Sequence, residues 1–398
     1  MTTAQRNVLF ILCDDLNDAI EGLGGHPQTQ TPNIARLMSR GVTFLNNHCN
    51  APVCAPSRDS LWSGFYPHTT GQYGFDHWKN NGILRDAVML QEHFSNHGYE
   101  VLGTGKLFHN NQEDLTLYDR FGHEANFGPW PWDGRLPETY KEHPDMSYLI
   151  DTDPEIRAHW EQTFGPLSHV PEWAPDPEHR VPGYTGWRLY NEPFCYIDDE
   201  HRDLMPDERS ARWAAARLSE RHTSPFFLAV GFNRPHTPLY APQAYFDRFP
   251  LSEIELPPYR PDDLDDAPPI VRDLFDYAFE RFKMIRQAGG VALWKRWIQA
   301  YLACVSFIDD QVGILLDALD GSDAADSTVI IFAGDNGYHM GEKDALFKGT
   351  LWEEATRVPL IISAPSVSQA GSKCERAVSL VHLYPTLIDL CSLPTSPN

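Results

Sequence analysis

The chain has 398 residues, 42% of them hydrophobic, which is enough to bury a large core and argues against disorder. Its formal net charge of −23 argues against nucleic acid or an anionic membrane as a partner. The seven cysteines are scattered and never in CxxC spacing, which disfavours a disulfide framework or a zinc site.

Met1 to Arg6 runs straight into a strand pattern, with no charged leader or apolar segment before it. The expectation is a cytoplasmic protein, or a periplasmic or secreted one whose leader is removed. The apolar run Asn7–Leu12 predicts a buried strand. Thr31 as N-cap and Pro32 at the first helical position predict a helix, with Gly41 as its stop. Strands are expected at Tyr99–Thr104, Pro225–Phe232, Thr328–Ala333 and Val358–Ile362. Apolar residues at 294, 297, 298, 301, 302, 305, 308, 312, 315, 316 and 319 have helical spacing. Tyr384–Leu390 is helix-like. Two segments break this alternation: about 120–200, rich in aromatic residues and headed by Trp130-Pro131-Trp132-Asp133-Gly134, and about 251–290. Both are expected as long surface insertions above the sheet, with the shaping of a substrate pocket as their sharper reading. The fold class implied is α/β, with a large, mostly parallel central sheet covered by helices on both faces.

Ligands of such sheets bind beyond the carboxyl ends of the strands. After the first predicted strand come Asp14 and Asp15, and after the second Lys106 and His109. After the third comes His236, and after the fourth Asp335 and Asn336, with Lys348 further on. Singly, each is an ordinary turn, cap or structural group; their convergence on one edge is what points to a site. Three carboxylates and an amide oxygen suit Ca²⁺, with Mg²⁺ or Mn²⁺ as alternatives, rather than zinc. Lysines and histidines beside them suit a tetrahedral oxyanion, hence transfer of a sulfuryl or phosphoryl group.

Cys54-Ala55-Pro56-Ser57-Arg58 resembles the Cys-x-Pro-x-Arg signature of type I sulfatases in the alkaline phosphatase superfamily. Asn7–Asp15, Gly105–His109, Pro225–Pro238, Tyr301–Leu319 and Phe332–Ile362 resemble sulfatase blocks as well. Among sulfatases the iduronate sulfatase group is most similar. The resemblance implies one catalytic domain over 1–398 with the alkaline phosphatase-like sulfatase fold. It implies oxidation of Cys54 to formylglycine by a transient formylglycine-generating enzyme, and hydrolysis of a sulfated small molecule or saccharide. The hydrated aldehyde offers two hydroxyls, one to attack sulfur and one to expel sulfate, where a serine would stay trapped as its ester. By the same resemblance Asp14, Asp15, Asp335 and Asn336, with residue 54, hold the metal. Arg58 steadies the gem-diol, Lys106 and Lys348 bind sulfate oxygens, His236 protonates the leaving alcohol, and His109 stands beside the nucleophile. A helix opening near Pro56 would aim its amide dipoles at the sulfate. His339 is expected in a pocket or structural role.

Phe65 stands where the family often has arginine, and Asn336 where iduronate sulfatase has histidine. The sequence also stops at Asn398, where relatives continue into a smaller C-terminal subdomain. The competing expectations are a phosphonate or phosphate ester hydrolase on the same fold, and an unmodified, inactive homologue that binds sulfated glycan.

Overall fold

The computed structural model describes residues 5–109, 112–131, 164–169, 186–190, 192–274 and 276–398. Its centre is an eight-stranded sheet. In chain order the strands are β1 (Asn7–Asp14), β2 (Val42–Phe44), β3 (Glu100–Gly105), β4 (Arg120–Glu124), β5 (Phe226–Pro235), β6 (Thr328–Gly334), β7 (Leu360–Ser363) and β8 (Ser372–Cys374). Across the sheet they run β8-β2-β7-β6-β1-β5-β3-β4. β1 pairs in parallel with β5 and β6, β5 with β3, and β3 with β4. β7 runs antiparallel to both β6 and β2.

β1 is apolar and buried from Val8 to Cys13 because both of its faces are covered. Leu9 and Ile11 point into one apolar cluster, and Val8, Phe10 and Leu12 into the other. Helices α1 (Pro32–Met38), α4 (Pro206–Leu218) and α5 (Asp276–Asp320) pack on the first face. Helices α2 (Cys54–Ser63), α3 (Leu90–Asn96) and α6 (Leu383–Leu390) pack on the second. Among the described residues no helix is long and apolar enough to cross a membrane.

Several expectations need correction. The segment after residue 120 is not simply loop, since Arg120–Glu124 adds an edge strand to the main sheet. Trp130–Pro131, Trp187–Leu189 and Glu192–Phe194 form a small second sheet. Trp132, Asp133 and Gly134 at the aromatic head lie outside the described residues, as do 135–163 and 170–185. Within 251–290, Pro269–Leu274 is helical and α5 begins at Asp276, eighteen residues before the expected start. α5 breaks once, at Gly290, whose φ of 59° is not helical. The helix at Pro32 forms, but Thr31 does not cap it with its side chain. Thr31 Oγ1 accepts from Glu21 N–H instead. The Asp309 carboxylate on α5 accepts the N–H groups of Asn33 and Ile34, at 3.0 and 2.8 Å. Gly41 lies beyond the helix end, and its small size matters for a different reason: a Cβ there would sit 2.5 Å from the Ile362 carbonyl oxygen.

Candidate active site

β1, β3, β5 and β6 are mutually parallel, so their carboxyl ends share one edge, and the polar groups named from sequence collect there. Asp15 follows β1 with a positive φ of 59°, a conformation that aspartate tolerates better than most residues. The turn is held from both sides. Asp15 N–H donates to Asp335 Oδ1 at 3.0 Å, and Tyr301 Oη donates to the Asp15 carbonyl at 2.8 Å. Lys106 reaches the edge because β3 and β5 touch with no side chain between them. Gly105 has φ of +77°, and a Cβ on Gly231 would collide with the Lys106 carbonyl.

α2 opens at Cys54 itself, two residues before the expected start at Pro56. Cys54 is buried at the helix N-terminus, with His109 Nδ1 3.3 Å from its Sγ. Arg58, one turn on, donates from Nε to Asp335 Oδ2 at 2.6 Å and from Nη1 to the Lys106 carbonyl. Ser57 Oγ donates to the Asp335 carbonyl at 2.5 Å. These bonds tie the helix that opens at Cys54 to the ends of β3 and β6. Lys106 Nζ is paired with Asp14, and Lys348 Nζ with Asp15. Asn336 Nδ2 donates to Asp15 Oδ1 at 2.7 Å. His236 points Nε2 toward Asp15 Oδ2 at 3.8 Å, while its Nδ1 donates to the Thr237 carbonyl at 2.6 Å. The structure therefore brings Cys54, Arg58, Lys106, His109, His236, Lys348, Asp14, Asp15, Asp335 and Asn336 together at one edge. His339 stays apart: it is buried, with Nε2 2.6 Å from Thr350 Oγ1 and its ring against Trp352, a structural setting.

A sulfatase family model matches residues 6–393 of this chain. The chain belongs to the sulfatase family. A sulfatase of Formosa agariphila is 37% identical over 397 residues, covering 97% of this chain and 69% of that protein. Human iduronate 2-sulfatase is 29% identical over 433 residues, covering 100% of this chain and 71% of that protein. A solved 2-O GAG sulfatase superposes with a TM-score of 0.65 at 21% identity, over 99% of this chain and 72% of that one. The phosphonate monoester hydrolase of Agrobacterium radiobacter has the same fold, with a TM-score of 0.66 at 21% identity over 98% of this chain and 74% of that one. The protein is thus a sulfuric ester hydrolase with the alkaline phosphatase-like sulfatase fold.

The sulfatase's donor set fits a hard cation. Asp14 Oδ1, Asp15 Oδ2 and Asn336 Oδ1 are buried oxygens with no hydrogen-bond partner among the described residues. Such orphans are costly unless a cation or water meets them. Ligand atoms of Asp14, Asp15 and His236 lie within 4.8 Å of one another. Desolvation pushes the Asp15 carboxyl up to about 7 despite Lys348, with Asp14 and Asp335 adding repulsion. Asp335 is raised for the same first reason, against the pull of Arg58. Asp14, against its own desolvation, is held well below the ordinary range by Lys106 and His236. Burial, then Lys106, lowers His109 to about 3, so its ring is neutral near pH 7. Burial, then Lys348, holds His236 well below its usual value. The Cys54 thiol is pushed up by burial, more than Lys106 and Lys348 pull it down. An unmodified sulfur here is therefore a protonated, weak nucleophile.

Sequence reasoning missed Phe127 and Arg234. Phe127 stacks on the His236 ring at 4.4 Å, and Lys106 Nζ lies 4.7 Å from its centre. It belongs to a segment that looked like plain insertion, and no spacing marks it. Arg234 carries a weak signal, since it sits two residues before His236 on β5.

Proposed function

We propose that this sulfatase hydrolyses a sulfate ester on a saccharide, using a formylglycine made from Cys54 and a Ca²⁺ held by Asp14, Asp15, Asp335 and Asn336 together with residue 54. The reading is supported chiefly by Cys54, which stands at a helix N-terminus inside a ring of carboxylates, lysines and neutral histidines. When bound, the cation lowers the pKa of the attacking hydroxyl and screens the sulfate oxygens. The modified side chain would hold two hydroxyls at position 54, one as the nucleophile toward sulfur and one whose deprotonation would release sulfate.

The chain's own residues do the rest. With the carboxylates engaged by a cation, the ammonium groups of Lys106 and Lys348 are free to hold sulfate oxygens. Neutral His109 faces position 54 through Nδ1, where it can hydrogen-bond the side chain there. His236 has its Nδ1–H committed to the Thr237 carbonyl, so Nε2 is the atom that gives a proton to the departing alcohol. Burial first and Lys348 second keep this ring neutral at rest, and the negative charge of a bound sulfate ester would offset the second of these. Arg58 fixes Asp335 and the Lys106 backbone, and so the register of the nucleophile with the cation site. A saccharide substrate is supported by the names of the human relative and the GAG sulfatase neighbour.

Two measurements test the reading together. Mass spectrometry of the Cys54 peptide is expected to show the thiol replaced by an aldehyde. The same protein is expected to turn over sulfated sugars with Ca²⁺, faster than the matching phosphate and phosphonate esters, and Cys54→Ala to abolish this. Faster phosphonate turnover would transfer the assignment to that reaction. An intact thiol with no turnover, and glycan binding unchanged in Cys54→Ala, would leave only a binding protein.

A further inference from the structure

His236 is held by more than its own strand. Its Nδ1 is fixed by the Thr237 carbonyl, and one ring face is covered by Phe127, with 4.4 Å between centroids and 25° between planes. Phe127 is itself buried, 7% exposed, and comes from beyond the edge strand β4. The end of β5 fastens it there. Arg234, fully buried, donates from Nη2 to the Phe127 and Gly128 carbonyls at 2.8 and 3.1 Å, and from Nε to the Tyr240 carbonyl at 3.0 Å. The Arg234 backbone N–H is taken in turn by Asp207 of α4 at 3.2 Å. One strand end thus carries both the imidazole and the guanidinium that secures the ring stacked on it. Phe127 also lies under the Lys106 ammonium, so it touches two of the groups that surround the substrate.

We propose that Phe127 is a positioning residue for sulfate-ester cleavage: it fixes the plane of the His236 imidazole so that Nε2 faces the ester oxygen. The proposal rests on His236 being the proton donor. As the sulfur–oxygen bond breaks, its electron pair goes to the alcohol oxygen, and the same atom takes the proton carried on Nε2 of the doubly protonated ring, which is left neutral with its Nδ1–H still on the Thr237 carbonyl. A free imidazole on a single-bonded tether rotates; one pinned at Nδ1 and stacked on a face does not, and proton transfer depends on that alignment. The dependence grows with the basicity of the leaving oxygen, because a good leaving group needs no proton.

The test is a series of sulfate esters, from 4-nitrophenyl sulfate to alkyl and sugar sulfates, on the formylglycine-bearing, Ca²⁺-loaded enzyme. Phe127→Leu is expected to lose about tenfold or more in kcat/KM on the alkyl and sugar esters, and under about threefold on 4-nitrophenyl sulfate. Phe127→Tyr, which keeps the ring, is expected to stay near wild type. In a His236→Ala background, Phe127→Leu is expected to add nothing on the basic leaving groups. A readout free of turnover accompanies this. The carbon-bound ring protons of His236, shielded by the stacked phenyl, should move downfield in the NMR spectrum of Phe127→Leu. A uniform loss across all leaving groups, a loss that adds to His236→Ala, or unmoved His236 signals would overturn the proposal. Absence of sulfate-ester turnover in the wild type would instead strike the functional reading, and the NMR comparison would still decide whether Phe127 orients the ring.

Discussion

Asp59, one residue past Arg58 on α2, is a carboxylate the chemistry does not use. It is buried, its Oδ1 has no partner among the described residues, and Gln72 Nε2 reaches Oδ2 only at 3.4 Å. Burial pushes its pKa up to about 7, against the Gln72 bond. The folded state therefore favours the protonated form. That contribution is full below the unfolded value near 4 and is lost as pH rises through about 7. Asp59→Asn removes the penalty. Relative to wild type it should gain about 2–3 kcal/mol more at pH 8 than at pH 5 in urea unfolding. An equal change at both pH values would mean that Asp59 is not titrating in this range. At this scale most of the site was legible in the sequence: each strand end announced its own polar group. Phe127 and Asp59 were not legible, and Arg234 only faintly, because their settings come from partners on distant elements that no local pattern encodes.

Helix α1 shows the same limit one level up. Its existence was legible from Thr31-Pro32, but the capping logic was not, because the acceptor is Asp309, 276 residues away from Asn33 on α5. Asp309 also accepts from Asn33 Nδ2 at 2.9 Å, and burial raises its pKa to about 6 despite these bonds. Asp309→Ala leaves two helix N–H groups unmet and should cost about 2 kcal/mol by urea unfolding at pH 7. Asp309→Asn, which retains one acceptor oxygen, should cost about half of that. Equal costs would mean the residue acts through packing alone. The strands at Val42–Phe44 and Ser372–Cys374 escaped notice for a simpler reason: three residues give no measurable alternation, and only the sheet they join makes them strands.

Over the whole molecule, among the described residues, the site closes with Asp14 and Asp15 paired to lysines and Asp335 to Arg58, and it still leaves Asp14 Oδ1, Asp15 Oδ2 and Asn336 Oδ1 without a hydrogen-bond partner. Calcium should therefore stabilise the fold by mass action, by about 2.7 kcal/mol at a hundredfold excess over Kd. The melting temperature should rise saturably with Ca²⁺ and return on chelation, with the rise lost in Asp14→Asn. A rise that survives in Asp14→Asn would place the ion elsewhere. The net charge of −23 has its own consequence for an anionic substrate. Long-range repulsion is screened as ionic strength increases, so kcat/KM should climb severalfold between about 10 and 200 mM NaCl while kcat holds steady. A fall would mean that the lysine pair dominates the approaching ester. One further consequence follows from how the site closes. Cys54 is 1% exposed in the finished fold, and Arg58 beside it is anchored to Asp335, which leaves the ribosome 277 residues later than Arg58. At about 5–20 residues per second, the cysteine travels unguarded for some tens of seconds of synthesis. Any enzyme that must chemically edit that side chain has this interval, and a nascent chain rather than a folded one, as its working target.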